Sequence, residues 1–148
     1  MKIFIDGDGS PTKTETIQLA HKYDLTVVLV TSIDHFSNKL TADSVETVYV
    51  DRGNDAADFK ILSLISAGDI LVTQDYGLAS LALPKATVIH YSGMVYTEFN
   101  IDQLLRQRYE GQQMRKAKLR TKGPKPFTAE DRLHFIQALE TMIQEKIK

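Results

Sequence analysis

No cysteine occurs anywhere in the 148 residues, which excludes disulfides, thiolate metal sites and cysteine nucleophiles and agrees with a reducing compartment. Tryptophan is absent too, and only four prolines interrupt the chain. No apolar run is long enough to cross a bilayer. Met1 to Ile5 leads straight into an apolar strand, with no basic n-region and no small-residue cleavage site, so neither export nor membrane insertion is expected and the cytoplasm is the predicted location. The phosphate-cradling loops GxxxxGK[ST] and GxGxxG are missing. The four histidines, at 21, 35, 90 and 134, lack ligand spacing and predict no zinc site. Ser10, Ser32 and Ser92 lie outside any nucleophile-elbow context.

What is present is unevenly spread. Residues 1–103 carry seven Lys/Arg against fourteen Asp/Glu, whereas 104–126 carry eight basic residues against Glu110 alone. The net charge of −1 therefore conceals an acidic body joined to a basic arm. Such a pairing suits a polyanion that the arm attracts and a cation lets approach the acids.

The chain length suits a single domain that buries roughly 70% of its unfolded surface. Short β-branched runs at 2–5, 26–31, 45–50, 70–73 and 87–91 alternate with helical patterns at 12–23, 55–67 and 78–83. This alternation predicts a three-layer α/β fold with a mostly parallel five-stranded sheet between helices. A helical extension follows from residue 93. Thr97 is read as the N-cap of a helix from Glu98 through Tyr109, with Ile101, Leu104 and Leu105 inward. Residues 111–125 read as an exposed basic loop. Thr128, with Asp131 three residues on, caps a last helix whose predicted apolar stripe is Leu133, Ile136, Leu139, Met142, Ile143 and Ile147.

Five aspartates, Asp6, Asp8, Asp55, Asp58 and Asp75, fall just beyond predicted strands or in a helix's first turns. In a parallel sheet those strand ends share one edge, so the carboxylates gather. Self-repelling acids on rigid elements suit a hard divalent ion with oxygen ligands. The segment Asp6-Gly7-Asp8-Gly9 follows a strand, with glycines that allow close approach; the plainer reading is a turn. Asp55 and Asp58 share a face of the next helix, and the helix dipole alone accounts for one of them. Asp58 falls on the apolar side with Ile61, Leu62 and Ile65. Asp75 follows the fourth strand, where metal binding competes with helix capping. Asp69 precedes that strand and reads as a turn residue on the opposite edge.

Together the segments IFIDGDGSP, DRGNDAADFKI, ILVTQD, YTEFNI and GPKPFTAEDR resemble the uncharacterised bacterial YaiI/YqxD family over nearly the whole chain. That family is placed with PIN-like, NYN-related nuclease domains. The resemblance implies an acidic Mg²⁺ or Mn²⁺ pocket made of Asp6, Asp8, Asp58 and Asp75, with Asp55 nearby and Thr73 in support. Members commonly carry Ala and Cys where this chain has Gly9 and Ser10, so a thiol is not essential here.

The leading expectation is a metal-dependent phosphodiesterase acting on single-stranded RNA, with Asp6, Asp8, Asp58 and Asp75 catalytic and Asp55 completing the metal set. Ser10, Asn54 and Thr73 are expected to support the site. Lys13, Arg52 and Lys60 are candidates to hold phosphate, and Arg115, Lys116, Lys118, Arg120, Lys122 and Lys125 to retain the strand. A non-catalytic RNA-binding or regulatory module is the first alternative. A phosphohydrolase of the haloacid dehalogenase type, suggested by Asp6-Gly7-Asp8-Gly9-Ser10 and Val30-Thr31-Ser32, is the second. Against the latter, Asp69 comes before its strand rather than after it, and no cap domain fits the length. The choice between RNA and DNA, and self-association into a homo-oligomer, stay open.

Overall fold

The computed structural model describes residues 1–7, 9–32, 45–51, 55–117 and 126–148. Five strands, β1 (Lys2–Asp6), β2 (Thr26–Ser32), β3 (Val45–Val50), β4 (Ile70–Val72) and β5 (Thr87–Ile89), form one sheet in the order β3-β2-β1-β4-β5. Every pairing between them is parallel, so the sheet is wholly rather than mostly parallel. The chain winds outward from β1 to β3, then crosses back to place β4 on the other side of β1. That reversal makes a topological switch point between β1 and β4, where the flanking connections diverge and leave a crevice beyond the strand ends.

Alternation along the strands splits the core in two. Ile3, Ile5, Val27, Leu29, Ile70 and Val72 point to one face, where helices α1 (Lys13–Lys22) and α5 (Ala129–Ile147) cover them with Leu19, Ala20, Phe135, Leu139 and Ile143. Phe4, Val28, Val30, Leu71 and Val88 point to the other, covered by α2 (Ala56–Leu64), α3 (Tyr76–Ala82) and α4 (Glu98–Lys116). Two buried faces explain why the strands read as continuous apolar runs rather than as an alternating pattern.

The last two helices begin as their sequences predict, each with a reciprocal capping box. Thr97 Oγ1 accepts from the Asn100 amide and Asn100 Oδ1 from the Thr97 amide; Thr128 and Asp131 repeat the arrangement. Their later courses differ from expectation. The α4 helix continues past Tyr109 to Lys116, so Arg115 and Lys116 lie in its last turn and not in a loop. Gln112, Gln113, Met114, Arg115 and Lys116 are good helix formers, and the two cations sit at the favourable end of the helix dipole, which outweighs Gly111. In α5 the buried stripe is Phe135, Leu139, Met142 and Ile143, a clean i, i+4, i+7, i+8 pattern. Leu133 and Ile147 stay exposed, at 61% and 51%, because neither faces the sheet. Leu64 of α2 is likewise on the exposed side. Helix α3 starts at Tyr76, two residues earlier than expected, because Asp75 caps it.

Gly7 was expected to make room for a ligand; its room is taken by β2. A Cβ there would stand 2.7 Å from Leu29 Cδ1 and 2.9 Å from the Val30 carbonyl, to which the Gly7 amide already donates at 2.8 Å. Asp69, at the opposite edge of the sheet, is buried, and its carboxylate accepts from the Lys2 and Ser66 amides at 2.9 and 2.8 Å. It ties β1 to the turn before β4, which is more than a turn residue does. That double engagement leaves it a structural part of the fold.

Candidate acidic site at the switch point

Four of the five singled-out aspartates lie at the C-terminal edge of the sheet. Asp6 closes β1, Asp75 follows β4, and Asp55 and Asp58 stand at the start of α2, the helix packed over β1 and β2. Their closeness registers in Asp58, whose carboxyl is pushed up to about 6 by partial burial first, then by the charges of Asp75, Asp6 and Asp55 and by a hydrogen-bond contact with Asp75. Three negative neighbours and a partly dry setting all disfavour the charged form. Asp55 itself is exposed and makes no side-chain cap bond to α2, although it occupies the N-cap position.

Thr73 organises the pair from β1 and β4. Its hydroxyl donates to Asp6 Oδ2 at 2.9 Å and accepts from the Asp75 amide at 3.0 Å. The Thr73 amide donates to the Ile89 carbonyl, and its own carbonyl accepts from the buried Tyr96 hydroxyl at 3.2 Å. Every polar group of Thr73 is thus used, and the residue is buried, so it is a fixed point rather than a mobile one.

Asp75 serves two ends at once. Its Oδ1 accepts from the Gly77 and Leu78 amides at 2.9 and 3.3 Å, capping α3, and lies 3.6 Å from Arg108 Nη1 on α4. Capping and membership of the acidic group were competing readings of the sequence, and the geometry contains both. Among the described residues no three His, Asp or Glu side chains stand close enough to form a ready cation cage. The donor set is nevertheless all oxygen, borne on a strand end and helix starts, and mutually repelling. An all-oxygen set of this kind is the donor chemistry that a hard divalent cation would require.

Other sequence candidates fall variously. Ser10 Oγ is buried and has no hydrogen-bond partner among the described residues, in the loop that leaves β1. Lys13 opens α1 at the same sheet edge. Lys60 lies two residues beyond Asp58, on the other side of α2, and lines a groove with Tyr49, Asp51 and Phe59. Arg115 and Lys116 are exposed, with Arg115 two turns beyond Arg108, about 10 Å along α4. Asp8, Arg52, Asn54, Lys118, Arg120, Lys122 and Lys125 lie outside the described residues.

Three neighbours of these residues are not legible in the sequence. Arg108 was only one charge in a basic segment, and its partnership with Asp75 depends on α4 packing against α3. Tyr96 and Gln74 likewise acquire their roles from β4 and β5 lying side by side. A strand of three residues gives no sequence signal for what its end will touch.

Residues 4–145 match the family described as "Uncharacterized BCR, YaiI/YqxD family". The chain is 56% identical over 148 residues to a UPF0178 protein of Enterococcus faecalis, covering 99% of this chain and all of that protein. UPF0178 proteins of Bacillus thuringiensis subsp. konkukian and Bacillus anthracis are each 51% identical over 144 residues, 97% of this chain and 99% of theirs. No solved structure matches. No helix among the described residues is long and apolar enough to cross a membrane.

Proposed function

This chain belongs to the YaiI/YqxD family, and from its acidic edge we propose a phosphodiesterase that cleaves single-stranded RNA with a divalent metal ion. One observation carries the reading: partial burial, and after it the charges of Asp75, Asp6 and Asp55, drive Asp58 toward its neutral form at the switch point of a parallel sheet. Carboxylates assembled against their own repulsion have a reason to be together when a cation joins them. Mg²⁺ or Mn²⁺ held by Asp6, Asp58 and Asp75, with Asp55 beside them, would supply Lewis acidity toward a phosphate and acidify water.

The protein's own groups do the positioning. Thr73 aims Asp6 and, through the Asp75 amide, sets the distance between the β1 and β4 carboxylates. Arg108 partly neutralises Asp75 and offers a guanidinium for a phosphate oxygen, with Lys13 on the opposite side of the crevice. Arg115 and Lys116 extend the basic track along α4.

A second reading is a non-catalytic RNA-binding module, and Arg108 favours it: the protein itself supplies Asp75 with a cation. Calorimetric titration of Mn²⁺ into the wild type, Asp6→Asn and Asp75→Asn separates the two. Asn retains the capping oxygen of Asp75, so loss of binding reports the charge and not the fold. Saturable binding abolished in both variants, with Mn²⁺-dependent cleavage of a fluorescent single-stranded RNA, supports the enzyme. Salt-sensitive RNA binding without either metal effect overturns it in favour of the module.

A further inference from the structure

A cavity of about 550 Å³, lined by Gln74 and Tyr76 on either side of Asp75 in the chain, opens between the loops after β1, β4 and β5 and the start of α5. Its size is ordinary for a small-ligand cleft. Aromatic rings dominate it: Tyr76, His90, Tyr91 and Phe127. Among the described residues no lysine or arginine lines it, and Asp131 does. What it suits is a flat, uncharged group with hydrogen-bonding edges.

The rings are held in place. Tyr91 stacks on His90 with centroids 4.2 Å apart and meets Phe127 edge to face at 5.5 Å. The Tyr91 hydroxyl donates to Gln74 Oε1, which leaves the Gln74 amide nitrogen as a donor beside Gly9. Arg132 lies over Phe127, its guanidinium carbon 5.1 Å from the ring centroid, and donates to the Pro11 carbonyl at 2.9 Å, locking the β1 loop to α5. Burial keeps the His90 imidazole below its ordinary range, hence neutral near pH 7. Asp131 spends one carboxylate oxygen on the Thr128 amide and presents the remainder of its carboxylate as an acceptor. Donor, acceptor and stacking faces are all present before any ligand arrives.

We propose that this cleft is a nucleobase subsite, in which a base stacks among Tyr91, Phe127 and Tyr76 while the phosphate bonded to its nucleoside reaches the acidic edge at Asp75. The assignment deepens the phosphodiesterase reading and rests on it for the phosphate's position, but base binding itself requires no metal. Aromatic stacking accepts any base, which fits a site that selects single strands over duplexes, whose bases are paired and inaccessible. A larger cavity of about 650 Å³, along α5 beside Thr87 and Val95, has no Phe or Tyr among the described residues that line it.

The test uses 2-aminopurine, whose fluorescence falls on stacking, with the full chain in EDTA so that metal plays no part. Two probes are titrated: 2-aminopurine ribonucleoside 5′-monophosphate, and a tetranucleotide RNA carrying one 2-aminopurine. Saturable quenching is expected, weakened at least about fivefold in Tyr91→Ala and in Phe127→Leu, and weakened less in Tyr91→Phe, which keeps the ring. Phe127→Leu conserves bulk and Tyr91→Phe conserves the aromatic wall, so stacking is distinguished from misfolding. Quenching of the mononucleotide alone assigns the subsite to free nucleotides; quenching of the tetranucleotide assigns it to a strand. No quenching with either probe, equal affinity in all variants, or equal competition by an abasic tetranucleotide overturns the subsite. Because these readouts are metal-free, intact base binding with absent cleavage defeats only the phosphodiesterase, and cleavage with absent base binding defeats only the subsite.

Discussion

The Thr73 hydroxyl donates to Asp6 Oδ2 at 2.9 Å across the gap between β4 and β1, joining residues 67 positions apart. It is the hinge pin of the acidic edge, since the same oxygen accepts from the Asp75 amide. Thr73→Val keeps the shape and removes both bonds. We expect a loss of about 1.5–3 kcal/mol in urea unfolding, the range for hydrogen bonds to charged groups. Mn²⁺ affinity should fall by roughly 10- to 100-fold, as for other residues that orient metal ligands. Thr73→Ser should restore most of both, and a Val variant with unaltered metal affinity would remove Thr73 from the site.

Asp58 makes stability depend on pH with a definite sign. Its folded value of about 6 lies above the ordinary 3.8, so folding favours its protonated form. That contribution is complete below about pH 4 and is lost as pH rises through 6. The shift corresponds to about 3 kcal/mol undiscounted, and screening by the solvent that still reaches this partly buried carboxyl reduces it to about 1 kcal/mol. Asp58→Asn should therefore melt higher than wild type at pH 8 in EDTA and level with it at pH 4. Equal melting temperatures at both pH values would contradict the crowding of carboxylates.

Protons and metal should compete for that same group. At pH 7.5 we expect Mn²⁺ to raise the melting temperature of the wild type, and at pH 5 to do so much less, because a protonated Asp58 is a poor ligand. A Mn²⁺ effect equal at both pH values would place the ion elsewhere.

Arg108 should act oppositely on the two ligands. The pair with Asp75 is half exposed, so Arg108→Ala should cost under about 1 kcal/mol of stability. Removing the resident cation should tighten Mn²⁺ binding, while single-stranded RNA binding weakens and its salt slope becomes shallower. Parallel changes in both affinities would argue that Arg108 serves only the fold.

Gly7 offers a purely structural control. With Leu29 and the Val30 carbonyl already within 3 Å of where a Cβ would go, Gly7→Ala should destabilise by about 1–3 kcal/mol in chemical denaturation. Unchanged stability would show that β1 and β2 can separate at that point.

Much of this architecture is a local matter. Apolar runs of three to seven residues flanked by turn formers mark the five strands, and the Thr97 and Thr128 caps place two helix starts to the residue. Those signals rest on interactions within a few positions of one another, which is why they can be read along the chain. Gathering aspartates at strand ends follows from the same logic, since in a parallel sheet every strand finishes on the same side.

What the chain alone determined, then, is the order of elements, the edge on which Asp6, Asp58 and Asp75 lie, and the absence of any thiol chemistry. Only the tertiary structure decided that β4 lies against β1, which brings Thr73 to Asp6, Arg108 to Asp75 and the Tyr91 ring to Phe127. It also decided that Phe135 rather than Leu133 turns inward. Each of those outcomes depends on packing between segments tens of residues apart. Short-range propensity carries no information about which distant face a helix or strand end will meet.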